Sequence, residues 1–579
     1  MGVLRHVRST PQQGKLRFPC KVIAFVVRQA LAVMTVGCIP SSFVNSDDFF
    51  GCPCDSPSAE NLKADSSSDS KDEKTEKNNN SSPRTLCQAL KTYCGCLRTI
   101  GVEMNHKKES ANSSKENDSA DSKSTVQEKD ANNPDEKTRE DKSADSAKKE
   151  DGSEQEKKNG KEEEPKESWI SIHAQATSVT QTHDVFPSPY IGPRSLLPVE
   201  STPTSVTATL FLDGRLWETE GWSGELVFNP EIASGPGLSD SQGIAGFPNG
   251  EITRVGVVAP TPYFARIYLR QTFSFGGEQE KFGDEANQIA GMVDIDRFTL
   301  SVGKFTPTDF FDNNRYSHDP RTQFLPWSIM YNGAWDYPAN VRGYTYGIAA
   351  DFNQKYWALR YGIFAEPTFA NGAPLDPKFL KANGQVVEYE QRYGLDEHPG
   401  ALRLLAYLNR AHMGDYLESL QQMPVNPDVT ATAAYRYKYG FGLSWDHELT
   451  KQWGVFARLG WNDGHTESWA FTAIDRLAEL GMLLKGKCWC RPDDVVGLAG
   501  CINGLSGDHR NYLAAGGLDF IIGDGKLNYG PEEILDFFYN FQLTKGIFVA
   551  FDFQEVNHPA YNRDRGPVSI YTLRVHLEI

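Results

Sequence analysis

The chain ends in the stretch VSIYTLRVHLEI, residues 568–579, whose side chains alternate between two chemical characters. An extended chain points successive side chains to opposite faces. One face of this stretch would therefore carry four apolar residues, namely Leu573, Val575, Leu577 and Ile579. The other face would carry ionisable residues, namely Arg574, His576 and Glu578. A run of about 10 such residues crosses a bilayer when tilted, so the pattern is typical of a transmembrane strand with its apolar face outwards.

The same alternation recurs upstream, with polar or charged groups on one face and apolar groups on the other. It occurs in RIYLRQTFSF (266–275), YKYGFGLSW (437–445), WGVFARLGW (453–461), ILDFFYNFQL (534–543) and IFVAFDFQ (547–554). Short Gly, Asp and Asn clusters separate several of these segments, as turn residues do. Tyr, Phe and Trp are concentrated on the apolar face, as in the aromatic girdles of a membrane barrel. A soluble propeller or solenoid would show a regular internal repeat, and we find none.

The length of the aromatic-rich part sets the size of such a barrel. Residues 168–579 number 412, and a strand with its connection averages roughly 25 residues in barrels with some long loops. We therefore predict an all-β fold, a transmembrane antiparallel β-barrel of about 16 strands, with 18 as the alternative. A barrel of that size encloses a water-filled channel, whereas about 8 strands would leave an interior filled by side chains.

Three segments of this part depart from the alternating pattern. Residues 467–484 have helical spacing and are expected to form a helix within a loop. Residues 228–251 are rich in Gly and Pro and are expected to form a long loop. Residues 401–422 fit a strand and a helix equally well.

The first 167 residues have a different composition, which cannot build a hydrophobic core. They contain 27 Lys and Arg against 29 Asp and Glu, and no aromatic residue occurs between Tyr93 and Trp169. Residues 1–46 combine basic residues with an apolar stretch, as a secretory signal does. Residues 47–100 are cysteine-containing, and we interpret them as a disulfide-stapled or partly reduced segment with one short helix rather than a zinc site. Residues 101–167, with 20 acids and 14 bases, are predicted to be a disordered charged linker.

Charge balance and hydropathy argue against two broad classes of protein. Residues 168–579 contain 32 basic and 47 acidic residues, a net of −15, so binding to a nucleic-acid backbone is not expected. The mean hydropathy is −0.49, and no apolar run of about 20 residues is present, unlike a polytopic helical membrane protein. The Asp and Asn clusters lack the spacing of a calcium loop, so we predict neither a metal nor a cofactor.

Four segments carry motifs that point to a known family. They are ELVFNPE (225–231), KFTPTDFFDNNRYSHDPRTQFLPWSIMYNGAWDYPANVRGYTYG (304–347), RPDDVVGLAGCINGLSGDHRNYL (491–513) and NHPAYNRDRGPVSIYTLRVHLE (557–578). Together they resemble the carbohydrate-selective outer-membrane porins of the OprB type, over about residues 169–579. The resemblance implies a roughly 16-stranded barrel that passes monosaccharides and other small neutral solutes by diffusion. Two features depart from the family pattern: the chain ends in Ile579 rather than the usual Phe, and it carries Cys488, Cys490 and Cys501.

A sugar channel needs hydrogen-bonding groups at a constriction and flat aromatic faces on which a pyranose ring can rest. Residues 309–342 concentrate both, and Arg residues on strand faces add forks that can bind two vicinal hydroxyls. The predicted pore-lining and sugar-binding residues are Arg266, Arg270, Asp309, Asp312, Asn313, Arg315, His318, Asp319, Arg321, Trp335, Arg360, Arg403 and Arg458. In the alternative interpretation, Asp309, Asp312 and Asp319 only cap turns. Trp335 would then anchor the barrel at the membrane interface.

The sequence thus predicts a passive outer-membrane diffusion channel for carbohydrates, without catalytic residues. No nucleophile elbow accompanies the pair His318 and Asp319, so a hydrolase is not expected. Two alternatives stay open: a structural envelope barrel with a plugged lumen, and a secreted carbohydrate-active β-protein with paired carboxylates. The expected partners are outer-membrane lipid and small sugars, with a homotrimer left open and no nucleic acid. The barrel would sit in the outer membrane of a Gram-negative-type envelope, with its N-terminal region in the periplasm.

Overall fold

The computed structural model describes residues 168–200, 202–252, 258–395 and 397–579. Its strands are β1 (Ile170–His183), β2 (Thr204–Thr219), β3 (Trp222–Ser234), β4 (Thr261–Ser274), β5 (Gln279–Phe282), β6 (Gly291–Asp294), β7 (Arg297–Phe305), β8 (Thr345–Asn353), β9 (Trp357–Ala365), β10 (Asn383–Tyr393), β11 (Gly400–Met413), β12 (Ala434–Glu448), β13 (Trp453–Asn462), β14 (Arg476–Lys485), β15 (Val495–Gly504), β16 (Glu532–Thr544), β17 (Ile547–Asn557) and β18 (Val568–Glu578). All except β5 and β6 close into one barrel, in which neighbouring strands are antiparallel. The predicted all-β barrel of 16 strands is confirmed.

The barrel closes because its first and last strands pair with each other. The β1–β18 register runs from Gln175 opposite Glu578 to His183 opposite Ile570. Consecutive strands are neighbours around the rest of the barrel, except that β4 pairs with β7. The separate β5–β6 hairpin is inserted between these two strands. Closure leaves no unpaired strand edge, which a bilayer would not tolerate.

The strands carry apolar side chains outwards and polar side chains into the lumen. On β18, Leu577 is exposed on the outer face, whereas Arg574 and His576 are buried inside. On β12, Tyr437 is 55% exposed and its neighbour Lys438 only 1%. Lipid rather than water covers the outer face of such a barrel, so exposed aromatic groups there are expected.

The connections alternate between a short-turn edge and a long-loop edge. The short-turn edge carries tight connections, among them 220–221, 354–356 and 545–546, together with the β5–β6 hairpin. The long-loop edge carries longer connections, among them 235–260, 306–344, 463–475 and 505–531. The chain enters β1 and leaves β18 at the short-turn edge.

Among the three segments without clear alternation, the helix predicted for 467–484 is wrong, and the loop predicted for 228–251 is wrong over its first seven residues. Residues 467–484 do not form a helix, because Arg476–Lys485 is strand β14. The lumen-facing Leu477 and Leu483 of β14 are buried under loops. Because both faces of this strand therefore carry apolar residues, its sequence shows the spacing of a helix instead of strict alternation. Residues 228–234 still belong to β3, and the long loop begins only at residue 235. Residues 401–422 contain both alternatives, since β11 is followed by a helix, Tyr416–Gln422.

Three short helices lie in the long loops: α1 (Trp327–Met330), α2 (Tyr416–Gln422) and α3 (Gly507–Ala514). Asp415 caps α2 and Ser506 caps α3, each by accepting a hydrogen bond from a backbone amide in the first turn. The loops bring their own apolar residues inside the barrel, so the interior contains packed clusters that include Phe324, Ile329 and Trp327.

The described part of the chain contains only short helices and begins after the N-terminal segments. Within the described ranges, no helix is long and apolar enough to cross a membrane. The predicted segments 1–46, 47–100 and 101–167 lie outside the described residues.

Candidate pore and constriction

Residues 306–344, here called the inner loop, cross the lumen and are held by strands on several sides. Asn314 donates a hydrogen bond to Ser444 on β12 (3.2 Å), and the Leu325 amide donates to Asp536 on β16 (3.3 Å). Arg574 on β18 donates to the Gln323 carbonyl (2.9 Å), and Tyr407 on β11 donates to the Ala334 carbonyl (2.9 Å). These attachments fix the inner loop as a wall inside the barrel rather than a surface loop.

Arg458 on β13 is a fully buried anchor of the inner loop. Its guanidinium pairs with Asp312 of the inner loop (3.0 Å) and with Glu479 on β14 (3.2 Å). It also donates to the inner-loop carbonyls of Ser317 (2.6 Å) and Ile329 (2.8 Å). Because the guanidinium offers five donors in a fixed fork, one side chain can hold two stretches of the loop at once.

Two other long loops support the inner loop from the long-loop side. The carboxylate of Asp336 accepts hydrogen bonds from the amides of Trp469 (2.7 Å) and Ala470 (2.6 Å), and it pairs with Lys438 (3.0 Å). The Gly246 carbonyl, in the connection 235–260, accepts a hydrogen bond from the inner-loop amide of Ser328 (3.1 Å). Much of the lumen is therefore occupied by protein, and the solvent-filled space is divided into separate cavities.

The first of these, here called the short-turn cavity, has a volume of about 400 Å³ and lies against β2, β3, β4, β7, β8 and β9. Its charged lining residues include Arg215, Glu225, Arg270, Asp309, Asp351 and Arg360. The β5–β6 hairpin forms the side of this cavity nearest the short-turn edge. Arg270 holds the hairpin by donating to the Asn287 carbonyl (3.1 Å).

The second, here called the long-loop cavity, has a volume of about 120 Å³ and lies near the opposite edge. Its lining combines three cations with two acids and several rings: Arg266, Arg321, Arg342, Glu231, Glu251, Tyr263, Trp327, Tyr331, Tyr337, Tyr344 and Phe471. Glu231 accepts hydrogen bonds from Thr209 (2.7 Å) and Tyr344 (3.2 Å). Arg321 pairs with Glu251 (3.0 Å).

An ion pair stands between the two cavities. Arg266 on β4 lines the long-loop cavity, and Asp309 in the inner loop lines the short-turn cavity. The guanidinium donates to both carboxylate oxygens, at 2.8 and 2.6 Å. Asp309 ends a short 3-10 helix, Pro307–Asp309, that Thr306 caps, so its carboxylate is held in place from the loop side as well.

Three aromatic rings form a stack at the long-loop cavity. The ring of Phe471 stacks on those of Trp327 and Tyr337, with both centroid distances 4.4 Å and interplanar angles of 10° and 15°, and the Trp327 and Tyr337 centroids are 6.3 Å apart. The three residues come from the inner loop and from the connection 463–475. Their edges border the cavity, where they offer an apolar flank beside the hydrogen-bonding groups.

Burial shifts the titration of several loop groups. It raises the pKa of Glu251 to about 7, against the opposing effects of Arg321 and Thr207. Burial likewise raises the pKa of Glu467 to about 7. Burial alone would lower the pKa of His509 in α3, but its carboxylate partners Asp475 and Asp519 outweigh that and raise it to about 9. Glu251 therefore changes charge near neutral pH at the wall of the long-loop cavity.

The predicted site residues fall into three groups. Five line the two cavities: Arg266, Arg270, Asp309, Arg321 and Arg360. Arg315 lines a third cavity, of about 300 Å³, that also contacts Trp453 and Gln323. The others lie outside these cavities: Asp312, Asn313, His318, Asp319, Trp335, Arg403 and Arg458. Sugar contact by any of these residues stays a prediction.

Residues of the third group have other visible partners. Arg403 pairs with Glu390 (2.8 Å) and Asp446 (2.6 Å). Asp319 accepts hydrogen bonds within its own turn, from Thr322 (2.7 Å) and the Arg321 amide (3.1 Å), as the turn-capping alternative expected. Trp335 is buried inside the barrel, and the alternative that it anchors the barrel at the membrane interface is wrong.

Asn313 and His318 belong to the same loop. The Asn313 side chain donates to the Asp309 carbonyl at 3.4 Å. The ring of His318 packs edge-on against Tyr331, at 5.0 Å between centroids. Both residues therefore contribute to the internal structure of the inner loop.

The sequence reasoning missed the acidic and aromatic half of the lining. Glu225 and Glu231 lie on the lumen face of β3, where period 2 with Val227 and Asn229 could have revealed them. Glu251 and Phe471 lie in irregular connections, and no local pattern marks them as lumen residues. Within the described ranges, no group of three or more His, Cys, Asp or Glu residues is arranged to hold a metal ion.

Comparisons with known proteins agree with this architecture. A family model described as "Carbohydrate-selective porin, OprB family" matches residues 221–578. The high-pH structure of Pseudomonas putida OprB is similar with a TM-score of 0.53 and 15% identity, covering 71% of this chain and 94% of that chain. The low-pH structure of that protein has a TM-score of 0.35 and 11% identity, covering 71% and 92%. The outer-membrane channel DcaP of Acinetobacter baumannii has a TM-score of 0.39 and 9% identity, covering 71% and 97%.

A closed 16-strand barrel with an apolar outer face and a loop folded across its lumen defines the outer-membrane porin class. The matched family model spans more than half of the chain, so the chain belongs to the carbohydrate-selective porin OprB family. The likeness to the high-pH structure supports the fold alone. A comparison with curated proteins finds no match.

Proposed function

We propose that this protein is a passive diffusion channel that prefers small carbohydrates, and that solutes pass between the short-turn and long-loop cavities beside Arg266 and Asp309. The observation that carries the proposal is the position of this ion pair, with one member lining each cavity. Paired charges suit a neutral polyhydroxyl solute, because its hydroxyls can donate to the carboxylate and accept from the guanidinium. A lone mobile ion would find one partner attractive and the other repulsive.

The aromatic stack of Trp327, Phe471 and Tyr337 supports the same preference. A pyranose ring has apolar C–H faces as well as hydroxyls, so it gains from a cavity that offers aromatic ring surface beside polar groups. The long-loop cavity has both, and its volume of about 120 Å³ allows one small solute at a time. We place no catalytic role on any residue of the lumen.

The orientation and assembly of the barrel belong to the same proposal. Outer-membrane barrels have short periplasmic turns and longer external loops, so the short-turn edge would face the periplasm together with the N-terminal region.

A homotrimer is proposed through the outer face of β1, where the small side chains of Ala174, Ala176, Ser178 and Thr180 would allow close approach of a second barrel. Native mass spectrometry of the detergent-extracted protein would give three copies if so.

Solute uptake tests the proposal. Full-length protein is reconstituted into liposomes, and swelling is followed in isosmotic glucose, a disaccharide and a charged solute of similar size. The proposal expects swelling fastest in glucose, and slower in the charged solute. The Lys545→Gln variant, a charge change at an exposed turn away from both cavities, serves as the control and should swell like the wild type.

A second candidate function is a structural barrel with a closed lumen. It is favoured by the extent to which the long loops fill the interior, as the clusters around Phe324 and Trp327 illustrate. This candidate expects a membrane-inserted barrel that supports no swelling in any solute. The same liposomes therefore distinguish the two functions.

A further inference from the structure

A cluster of cations and tyrosines lies on the outer wall of the barrel at the long-loop edge. Arg410 on β11 pairs in register with Tyr437 on β12. Its guanidinium carbon lies 5.2 Å from the centroid of the Tyr437 ring and 6.0 Å from that of Tyr435. The ammonium of Lys378, in the connection between β9 and β10, lies 5.9 Å from the Tyr435 centroid. We call Lys378, Arg410, Tyr435 and Tyr437 the rim cluster.

The two cations of the rim cluster lack the acidic partners that lumen arginines have. Among the residues that the structure describes, neither Arg410 nor Lys378 forms an ion pair, and the buried Nε of Arg410 has no hydrogen-bond acceptor. The nearby acid, Asp376, accepts instead from the Tyr435 hydroxyl (2.8 Å) and the Lys378 amide (2.8 Å). Together with Asp376, the cluster thus holds two cations and one carboxylate, and its net charge of +1 favours an anionic ligand.

The rim cluster continues into the apolar outer wall. One step towards the barrel's middle, Leu408 on β11 faces Tyr439 on β12, and both are exposed outwards. In the connection above, Leu380 is 87% exposed and lies two residues from Lys378. A ligand at this place would meet cations at one end and a lipid-facing apolar surface at the other.

We propose that the rim cluster binds the phosphate of an anionic membrane lipid in the leaflet that meets the long-loop edge. The guanidinium fork of Arg410 and the ammonium of Lys378 would hold the phosphate oxygens, while the acyl chains follow Leu408 and Tyr439. The tyrosine rings hold the two cations near the same point through cation–π contacts. Free phosphate has no apolar part to place on the wall, so the surface suits a lipid. The proposal does not depend on which solute the lumen passes.

The test measures lipid affinity by native mass spectrometry of the full-length protein, titrated with phosphatidic acid or with phosphatidylcholine. The double variant Lys378→Gln/Arg410→Gln is expected to bind phosphatidic acid about 30-fold more weakly, since each basic group near an anionic surface contributes roughly a fivefold factor. Phosphatidylcholine binding should change by less than about twofold. The control Lys487→Gln/Lys545→Gln makes the same charge change at exposed positions of the short-turn edge and should retain wild-type affinity.

Two results would overturn the proposal. One is an equal loss of affinity in both double variants, which would indicate a non-specific charge effect. The other is displacement of the lipid by inorganic phosphate at similar concentration, which would indicate an anion site without lipid recognition. If the double variant does not fold, the affinity for phosphatidic acid is measured instead for the Arg410→Lys variant and for the wild type at increasing salt concentration. The proposal then requires weaker binding in the Lys variant and a steep loss of affinity between low and high salt.

Discussion

The ion pair of Arg266 and Asp309 gives the most discriminating prediction, because its two members face different cavities. Replacing Asp309 by Asn would leave the guanidinium without its counter-charge, and replacing Arg266 by Gln would leave the carboxylate alone. Both side chains are largely buried, with 15% of Arg266 and 21% of Asp309 exposed, but a passing ion would lie in the solvent of the cavities, where the effective dielectric is closer to that of water. A unit charge about 4 Å from a passing ion then contributes on the order of 1 kcal/mol.

Because the same charge attracts one kind of ion and repels the other, that energy enters the ratio of cation to anion permeability twice, and it corresponds to a change of about 30-fold in the ratio. Asp309→Asn should shift the ratio towards anions and Arg266→Gln towards cations, and the double variant should return close to the wild-type ratio. The assay is the reversal potential in planar bilayers under a salt gradient. Lys545→Gln, a charge change at an exposed turn, should leave the ratio unaltered. Equal reversal potentials in the wild type and both single variants would refute a path beside this pair.

Three further predictions follow from other parts of the interior. Arg458→Met should lower the free energy of unfolding by about 3–5 kcal/mol in chemical denaturation, because two buried carboxylates and several carbonyls lose their donor. The control Lys545→Met, at an exposed position, should change that free energy by less than about 0.5 kcal/mol. Phe471→Ala should weaken glucose block of the conductance by about 2–10-fold through loss of the central ring of the stack, and an unaltered block would remove the stack from the solute path. Replacing the β5–β6 hairpin, residues 277–294, by a Gly-Asn turn should raise single-channel conductance, since the hairpin walls the short-turn cavity.

The histidine of α3 gives a prediction about pH. The pKa of His509 is raised from 6.5 to about 9, so its contribution to stability is complete below pH 6.5 and is lost as the pH rises through 9. The opening free energy of Gly507–Ala514, measured by hydrogen exchange, should therefore fall by up to about 3 kcal/mol as the pH rises over that window. His509→Asn should remove this pH dependence. Acceleration at acid pH instead would contradict the proposed charge on the ring.

The barrel could be predicted from the sequence because most strands show alternation of apolar and polar side chains within their own residues. In β18 and β12 the outward groups are apolar and the inward groups polar, so a period of 2 identifies the strand without knowledge of its neighbours. Strand β14 was mistaken for a helix because its inward Leu477 and Leu483 pack under loops. The alternation disappears wherever the lumen is filled, and long-range packing rather than local pattern then decides the structure.

The candidate site could be predicted only in part, for the same reason. Arg266, Arg270 and Arg360 lie on lumen faces of strands, where alternation locates them. Arg458 shares that pattern, yet it is enclosed by the inner loop and serves as an anchor. Whether a lumen-facing charge meets solvent depends on where a loop residue such as Asp312 lies, and the sequence between two strands does not determine that.

We expect the lumen to conduct ions and small sugars to occupy it. The most direct measurement is single-channel conductance of the full-length protein in planar bilayers, recorded with increasing glucose on one side. We expect discrete conductance steps whose amplitude falls with glucose concentration and saturates, as a single occupied cavity requires. A stably inserted barrel without conductance steps, or steps that glucose leaves unaltered beyond the change in bulk conductivity, would contradict the account.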